Sequence, residues 1–351
     1  MTSARFFVLL ASLAAACGPS GPDLSSASRF PATATPSSGP ASTAAGSPAT
    51  TPDVNAVRLV EFPVGRGQGP HDVAPAPDGG VWYTAQRTGE LGYLDPKTGA
   101  TRMVKLGAGS APHGVIVGPD GNPWITDGGL NAIVRVDART NEITRYPLTG
   151  PNVNLNTATF DHDGILWFTG QSGYFGHVDP KTGIVKVLPS PRGAGPYGIT
   201  STPDGRVFYA SLANSHIAWI DLKEDIASPM DPPTPDQGAR RVWSDSKSQI
   251  WVSEWNAGQL GFFSAHVNVW KEWKLPGANP MPYAVYVDDQ DIVWLTDFGA
   301  NAIVRFDPVT EKFTPYPHTQ PNAAVRQLLG RPGEVWGAMS GQDRLLLIRT
   351  R

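Results

Sequence analysis

The chain has 351 residues and a nearly balanced charge, with 28 Lys and Arg against 31 Asp and Glu and a formal net charge of −3. It contains no run of basic residues, which argues against a nucleic-acid partner and against a polybasic lipid-binding patch. Cys17 is the only cysteine, so the rest of the chain must fold without a disulfide and rely on its hydrophobic core.

Residues 1–16 are typical of an export signal. Arg5 precedes an apolar run over 6–16, and three alanines stand directly before Cys17. The run is shorter than the roughly 20 residues that a helix needs to cross a bilayer. We therefore predict lipidation of Cys17 as the new N-terminus, which makes the protein an exported, membrane-anchored lipoprotein on the periplasmic or cell-surface side. Ordinary cleavage that leaves a free thiol is the alternative.

Residues 17–53 are rich in Ser, Thr, Pro, Ala and Gly and contain almost no large apolar side chain. Such a segment cannot bury enough surface to offset the entropy lost on ordering. We interpret it as a disordered tether between the predicted lipid anchor and a folded domain over 54–351. The membrane is then reached only through the anchor, and we expect a monomer.

One pattern recurs seven times in the folded part and predicts its architecture. Each copy places a Trp or Phe inside a short strand that follows a turn, as in DGGVWYT and DGNPWIT. Successive anchors are 42, 43, 41, 43, 43 and 42 residues apart, which is the length of one propeller blade. We expect these aromatic side chains to pack between blades. They are Trp82, Trp124, Trp167, Phe208, Trp251, Trp294 and Trp336.

Each repeat accommodates four short strands. A Pro-x-Gly element such as 112–114 opens the first strand, the Asp120-Gly121 turn leads to the strand that carries the anchor, and two alternating strands follow. Because the repeats show no helical periodicity, we predict an all-β, seven-bladed β-propeller with blades of four antiparallel strands. The prolines in 223–238 predict a loop or a damaged outer strand in blade four.

The two ends of the repeat array are complementary. Residues 57–63 resemble a fourth strand but precede the first repeat, whereas the last repeat ends after its third strand. We therefore predict that the N-terminal strand completes the C-terminal blade, which closes the ring and removes its exposed edges.

Two positions in the repeat collect polar side chains. Eleven residues before the anchors stand His71, His113, Asn156, Tyr197, Arg240, Tyr283 and, in the last repeat, Val325 or its neighbour Arg326. Three residues after the anchors, three of the seven positions are carboxylates, namely Asp127, Glu254 and Asp297. If both sets face one mouth of the channel, they can bind a polar ligand, hold a divalent cation or place a base beside an electrophile. A merely solvated channel mouth is the alternative.

The repeat PHGVIVGPDGNPWITDGGLNAIVR resembles those of the virginiamycin B lyase, or streptogramin lyase, family, and WVSEWNAGQLG and WLTDFGANAIVRFD are similar to them too. The resemblance implies a Mg²⁺-dependent carbon–oxygen lyase that opens a cyclic ester antibiotic by elimination, with a histidine base and a metal-binding glutamate in the sixth repeat. This chain departs from that pattern, because Tyr283 and Asp297 occupy those two positions.

Three functions follow from these observations. The first is a lyase with His113 or His71 as the catalytic base, magnesium on Asp127, Glu254 and Asp297, and substrate contacts from Asn156, Tyr197, Arg240, Tyr283 and Arg326. The second is a non-catalytic propeller that binds a small-molecule or envelope ligand at the channel mouth. The third is a metal-dependent lactone hydrolase, for which Ca²⁺ replaces Mg²⁺ as the expected ion.

Overall fold

The computed structural model describes residues 57–351, which form seven antiparallel sheets of four strands. The first strands of neighbouring blades contact one another around the ring, so they line the central channel. The predicted seven-bladed β-propeller is confirmed. Among the described residues there is no helix with the length and apolar character needed to cross a membrane.

The strands of blades one to three have the following bounds: β2 Pro70–Pro75, β3 Val81–Ala85, β4 Glu90–Leu94 and β5 Thr101–Lys105; β6 Pro112–Val117, β7 Pro123–Asp127, β8 Ala132–Val136 and β9 Ile143–Pro147; β10 Leu155–Phe160, β11 Leu166–Gly170, β12 Tyr174–Val178 and β13 Val185–Pro189.

Blades four to seven contain the remaining strands: β14 Pro196–Ser201, β15 Val207–Ser211, β16 His216–Asp221 and β17 Ile226–Met230; β18 Ala239–Ser244, β19 Ile250–Glu254, β20 Gln259–Ser264 and β21 Val269–Lys274; β22 Pro282–Val287, β23 Val293–Asp297, β24 Ala302–Asp307 and β25 Lys312–Pro317; β26 Val325–Arg331, β27 Glu334–Met339, β28 Arg344–Arg349 and the N-terminal β1 Arg58–Pro63.

The ring closes as predicted, through β1 as the outer strand of blade seven. β1 pairs antiparallel with β28, from Arg58 opposite Arg349 to Pro63 opposite Arg344. Phe62 packs against Trp336 with ring centroids 5.5 Å apart. The two chain ends of the described part therefore hold one blade together.

The anchor aromatics pack between blades, as expected. Trp167 of blade three, for example, lies in one apolar cluster with Val207 and Ile220 of blade four. Its indole Nε1 donates to Asp161 Oδ2 at 2.8 Å, in the turn before its own strand. The anchor thus fixes both the interface between two blades and the hairpin turn within one.

The prediction of a damaged outer strand in blade four is wrong. β17 pairs with β16 in unbroken register from Ile226 opposite Asp221 to Met230 opposite Ile217. Pro229 is accommodated because β17 is the edge strand of its sheet, where no further strand needs an amide hydrogen from it. The other prolines of this stretch lie after β17, in the loop 231–238 that leads to β18.

Every first strand carries a β-bulge near its beginning. In blade one the register shifts between Pro70 and Val73, and the other six first strands shift at the equivalent place. A bulge inserts a residue without a partner and re-aims the side chains around it. The residue that follows the last paired residue before the bulge, such as His71 after Pro70, is therefore turned away from the ladder, and the fold repeats this seven times around the channel.

Candidate functional site

The bulges aim one polar side chain from each blade into the channel. The seven residues are His71, His113, Asn156, Tyr197, Arg240, Tyr283 and Arg326. In blade seven Val325 pairs with Met339 as Pro70 pairs with Ala85 in blade one. Arg326, and not Val325, is therefore the residue of blade seven that belongs to this set of channel side chains. The hairpin of that blade is one residue shorter than the others, which explains the ambiguous count from Trp336.

Two tyrosines from non-adjacent blades meet at the centre of this site. The hydroxyl oxygens of Tyr197 and Tyr283 lie 2.7 Å apart. Arg240 Nη2 donates to Tyr197 Oη at 2.8 Å. A guanidinium can only donate, so Tyr197 Oη accepts this bond. While both phenols are protonated, either hydroxyl can donate the bond between them; when Tyr283 is ionised, Tyr197 is the donor and Tyr283 the acceptor.

Arg240 is held in an aromatic cage. Its guanidinium carbon lies 3.7 Å from the ring centroid of Tyr283, 4.6 Å from that of Tyr197 and 4.7 Å from that of Trp255. Phe298 stacks on Tyr283 at 4.8 Å. Cation–π attraction stabilises the charge of the arginine there without neutralising it.

The charges around Tyr283 change its acidity. Burial alone would raise the pKa of this phenol, but Arg240, Arg241 and Arg326 and the hydrogen bond from Tyr197 outweigh it and lower the pKa to about 8. Burial and the neighbouring Tyr283 raise the pKa of Tyr197. Of the two phenols, Tyr283 is therefore the one that ionises.

Two histidines lie next to the tyrosine pair. The rings of His71 and His113 are 3.9 Å apart, and His113 meets Tyr197 edge-on at 6.3 Å. Burial and, next in weight, Arg326 hold the pKa of His71 well below its usual value; burial and the neighbouring His71 do the same for His113. Both imidazoles are therefore neutral near pH 7.

Arg241 fixes how the two histidines carry their protons. Its Nη2 donates to Asp72 Oδ1 at 3.0 Å, and that oxygen also lies 2.8 Å from His71 Nδ1. A carboxylate accepts, so His71 carries its proton on Nδ1. Burial raises the pKa of Asp72, but the ion pair with Arg241 counteracts this shift and favours the carboxylate.

A second branch from Arg241 reaches His113. Its Nη1 donates to Thr157 Oγ1 at 2.7 Å, and that hydroxyl donates to Asn156 Oδ1 at 2.6 Å. The Asn156 amide nitrogen then faces His113 Nε2 at 3.3 Å and donates to it. The network assigns the proton of neutral His113 to Nδ1, which is buried and has no hydrogen-bond partner among residues 57–351.

Asp127 and Asp297 bind backbone amides, although Asp297 Oδ2 is buried without a partner among residues 57–351. Asp127 accepts from the amides of Ala111 and Leu130 at 2.9 and 3.0 Å, and from Ser110 Oγ at 2.5 Å. Asp297 accepts from the amides of Met281 and Gly299 at 2.8 and 2.9 Å. Both carboxylates hold the loop that enters the first strand of their blade.

Glu254 points in another direction. It lies on the face of blade five that packs against blade four, where a Cβ at Gly261 would collide with its Oε1. Both carboxyl oxygens are buried without a partner in the described part of the chain. Burial, followed by the nearby Glu272, raises the pKa of Glu254 to about 8.

The donors present do not fit a magnesium ion. Among residues 57–351, the one group of three or more metal-ligating side chains that come together is His71, Asp72 and His113. Mg²⁺ requires oxygen ligands in octahedral geometry, whereas this group offers two imidazoles and one carboxylate already paired with Arg241. The three carboxylates that the sequence suggested as ligands do not join it.

Sequence reasoning found one residue of each bulge and missed the next. Asp72, Thr157 and Arg241 follow ring members directly, and they set the protonation of the histidines. The sequence signal for these second residues was the pair Arg240-Arg241, because two adjacent arginines at a bulge cannot both take part in strand pairing.

Cys17, the predicted lipidation site, lies outside the described residues.

The sequence matches the model of the virginiamycin B lyase family over residues 54–303. The chain belongs to the virginiamycin B lyase family. No protein of curated function matches the sequence.

Solved structures of this family share the fold. A streptogramin B lyase is 22% identical over 84% of this chain and 97% of its own, with a TM-score of 0.77. The virginiamycin B lyase of Staphylococcus aureus is 21% identical over 84% of this chain and 99% of its own, with a TM-score of 0.78. A catalytically inactive variant of that enzyme with quinupristin matches equally well. The hydrazine synthase of Kuenenia stuttgartiensis, 13% identical with a TM-score of 0.68 over 81% of this chain and 96% of its own, also has a similar fold.

Proposed function

We propose that this member of the virginiamycin B lyase family is a carbon–oxygen lyase that acts by β-elimination, with Tyr283 as the base. The observation that carries the proposal is the hydrogen-bonded chain, or relay, in which Arg240 donates to Tyr197 and the hydroxyls of Tyr197 and Tyr283 share a hydrogen bond. This arrangement stabilises a phenolate beside a cationic group, which is what removal of a proton next to a carbonyl requires. Tyr283 is only 1% exposed, so the mechanism also requires the side chains above it to move when a substrate enters.

The relay supports a different base from the two histidines that the sequence suggested. A base works best when its pKa lies near the working pH. Tyr283, with its pKa lowered to about 8, meets this requirement. The pKa values of His71 and His113 are held well below the usual value, so the neutral imidazoles are weak bases.

The remaining polar groups suit the negative charge that develops when the proton leaves. Arg240 and Arg326 carry permanent charges beside Tyr283, with guanidinium carbons 3.7 and 5.8 Å from its ring centroid. The Nδ1–H of His113 is a further buried donor without a partner among residues 57–351. Such fixed donors stabilise an oxyanion more strongly than water does, because they need no reorganisation. No step of this proposal passes through a metal ion.

The family relatives supply the first substrate to test. The S. aureus relative is described with quinupristin, and we propose that this chain also opens a cyclic ester. The test is mass spectrometry of quinupristin incubated with the purified protein, with and without a chelator. A ring-opened product of unchanged mass, formed also with chelator and lost in Tyr283→Phe, is the expected result.

The alternatives give different outcomes in the same experiment. Product that gains one water identifies a hydrolase, and a requirement for Mg²⁺ or Ca²⁺ contradicts the arginine-based mechanism. Binding without any product identifies the non-catalytic propeller. We further propose that the protein acts outside the cytoplasm as a monomer tethered through Cys17, which the sequence of residues 1–53 supports.

A further inference from the structure

We infer that the substrate of this site carries a carboxylate, which Arg240 and Arg326 bind, next to the carbon that loses its proton. The inference rests on the proposed lyase function and names its substrate class: a carboxylate with an oxygen leaving group on the β-carbon.

The positive charge of the three arginines around Tyr283, Arg240, Arg241 and Arg326, is only partly compensated. Arg241 is matched by Asp72 at 3.0 Å. For Arg240 and Arg326, in contrast, no carboxylate of residues 57–351 lies within 4.0 Å. Since both histidines are neutral, the site keeps two more positive charges than negative ones while Tyr283 is protonated, and one while Tyr283 is ionised.

Both arginines have donors to spare. A guanidinium carries five N–H groups. Arg240 uses one on Tyr197, and its Nε is buried without a partner among the described residues. Arg326 donates through Nε to Ser340 Oγ at 2.7 Å, and the exposed Arg87 donates to the carbonyl of the same Ser340 at 3.4 Å. The cationic surface thus extends from Arg240 across Arg326 to Arg87.

A carboxylate is the ligand that this arrangement suits best. Half-buried charges are costly unless they are paired, and the planar guanidinium fork matches two carboxylate oxygens. The cage of Tyr197, Trp255 and Tyr283 fixes the plane of Arg240 before a ligand arrives. Pre-organised donors lose less entropy on binding, which favours the carboxylate further.

The chemistry also explains why two arginines accompany a tyrosine base. A proton beside a carboxylate is much less acidic than one beside an ester, because removing it places a second negative charge on the same group. The phenolate of Tyr283 takes the α-proton, the C–H electron pair forms the Cα–Cβ double bond, and the Cβ–O bond breaks with its pair on oxygen. The leaving oxygen gains a proton from water, and no oxidant, reductant or other co-reactant is consumed.

The test compares three probes of equal length: a 4-O-linked galacturonate oligomer, its methyl ester, and a neutral galactose oligomer of the same linkage. Binding to the full chain is measured by calorimetry, and elimination by the ultraviolet absorbance of the conjugated double bond. We expect the galacturonate oligomer to bind most tightly, with an affinity that falls as salt is added, and to yield the unsaturated product.

Two substitutions separate charge from geometry. Arg326→Gln is expected to weaken galacturonate binding by about tenfold to a hundredfold, as for loss of a charge-assisted hydrogen bond, and to leave binding of the ester nearly unchanged. Arg326→Lys keeps the charge and recovers part of the affinity. Arg139→Gln, which removes one positive charge from an exposed turn, is the matched control and leaves binding unchanged. Thermal melting establishes that each variant is folded.

The outcomes distinguish this inference from the lyase function. Tight galacturonate binding without product supports the carboxylate site and contradicts the lyase. Elimination from the ester or from quinupristin, with no preference for the carboxylate, supports the lyase and overturns the inference. Equal binding of charged and neutral oligomers also overturns it.

Discussion

The ionisation of Tyr283 can be measured without knowing the substrate. In the native protein this phenol shares a hydrogen bond with Tyr197 and lies beneath the guanidinium of Arg240. We expect one tyrosine to ionise with a midpoint near pH 8, about two units below the usual value. At pH 7 about one molecule in ten then carries the phenolate, against about one in a thousand for an ordinary tyrosine.

The size of the shift is consistent with the arginine contacts. A two-unit shift corresponds to about 2.7 kcal/mol. Two unit charges about 4 Å apart interact by about 4 kcal/mol at an effective dielectric constant of about 20, and the guanidinium carbon of Arg240 lies 3.7 Å from the Tyr283 ring centroid. Removing this charge in Arg240→Met should therefore raise the midpoint by at least about one unit.

Difference absorbance of tyrosinate during a pH titration is the assay. The transition near pH 8 should disappear in Tyr283→Phe and persist in Tyr286→Phe, a control on the same strand whose pKa burial raises. If no tyrosine ionises at a lower pH than the other tyrosines, or if the transition near pH 8 survives in Tyr283→Phe, then the relay does not lower the pKa of this phenol. The assignment of Tyr283 as the base then fails.

Three further predictions concern stability. Burial raises the pKa of Glu254 to about 8, so its stabilising contribution is complete below pH 4.5 and is lost as the pH rises to 8. In urea unfolding, the free energy of unfolding of Glu254→Gln should therefore depend less on pH over that range and exceed that of the native protein by a few kcal/mol at pH 9. An unchanged pH dependence would contradict this prediction. Phe62→Ala should lower the free energy of unfolding by about 3 kcal/mol, because it removes the contact of β1 with Trp336. The control Val309→Ala changes a side chain that is 93% exposed and should have no effect. Equal losses in the two variants would argue against ring closure by β1. Asp297→Ala should cost about 1 to 3 kcal/mol through the loop amides that it leaves unpaired, and a thermal melting temperature equal to that of the native protein would contradict the structural role of this carboxylate.

The fold could be predicted from the sequence because its signal is repeated. An anchor such as Trp167 must meet the next blade and its own turn at once, so its spacing is fixed by geometry and is visible as a period. The closing strand was equally predictable, since a strand without a repeat at one end matched a repeat without its fourth strand at the other. Pro229 misled the prediction because a proline is harmless on an edge strand, and the other prolines of this stretch lie in the loop after β17 and not in the strand itself.

The site was less predictable, since spacing gives position along the strand but not direction. The bulge turns Tyr197 and Tyr283 toward each other across the channel, and the sequence contains no sign that two residues 86 apart share a hydrogen bond. The carboxylates three residues after the anchors occupy the same position in the repeat, but the groups around them differ. Asp127 is short enough to bind its own loop, whereas the longer Glu254 reaches toward Gly261.

The most direct test of the account is the origin of the product oxygens. Quinupristin and the galacturonate oligomer are incubated with the protein in heavy-oxygen water, and the products are analysed by mass spectrometry. Elimination by Tyr283 predicts an unsaturated product, formed from the galacturonate oligomer in preference to quinupristin, that contains no solvent oxygen and does not form with Tyr283→Phe. Incorporation of heavy oxygen, or the same product yield from Tyr283→Phe, would contradict the proposed mechanism.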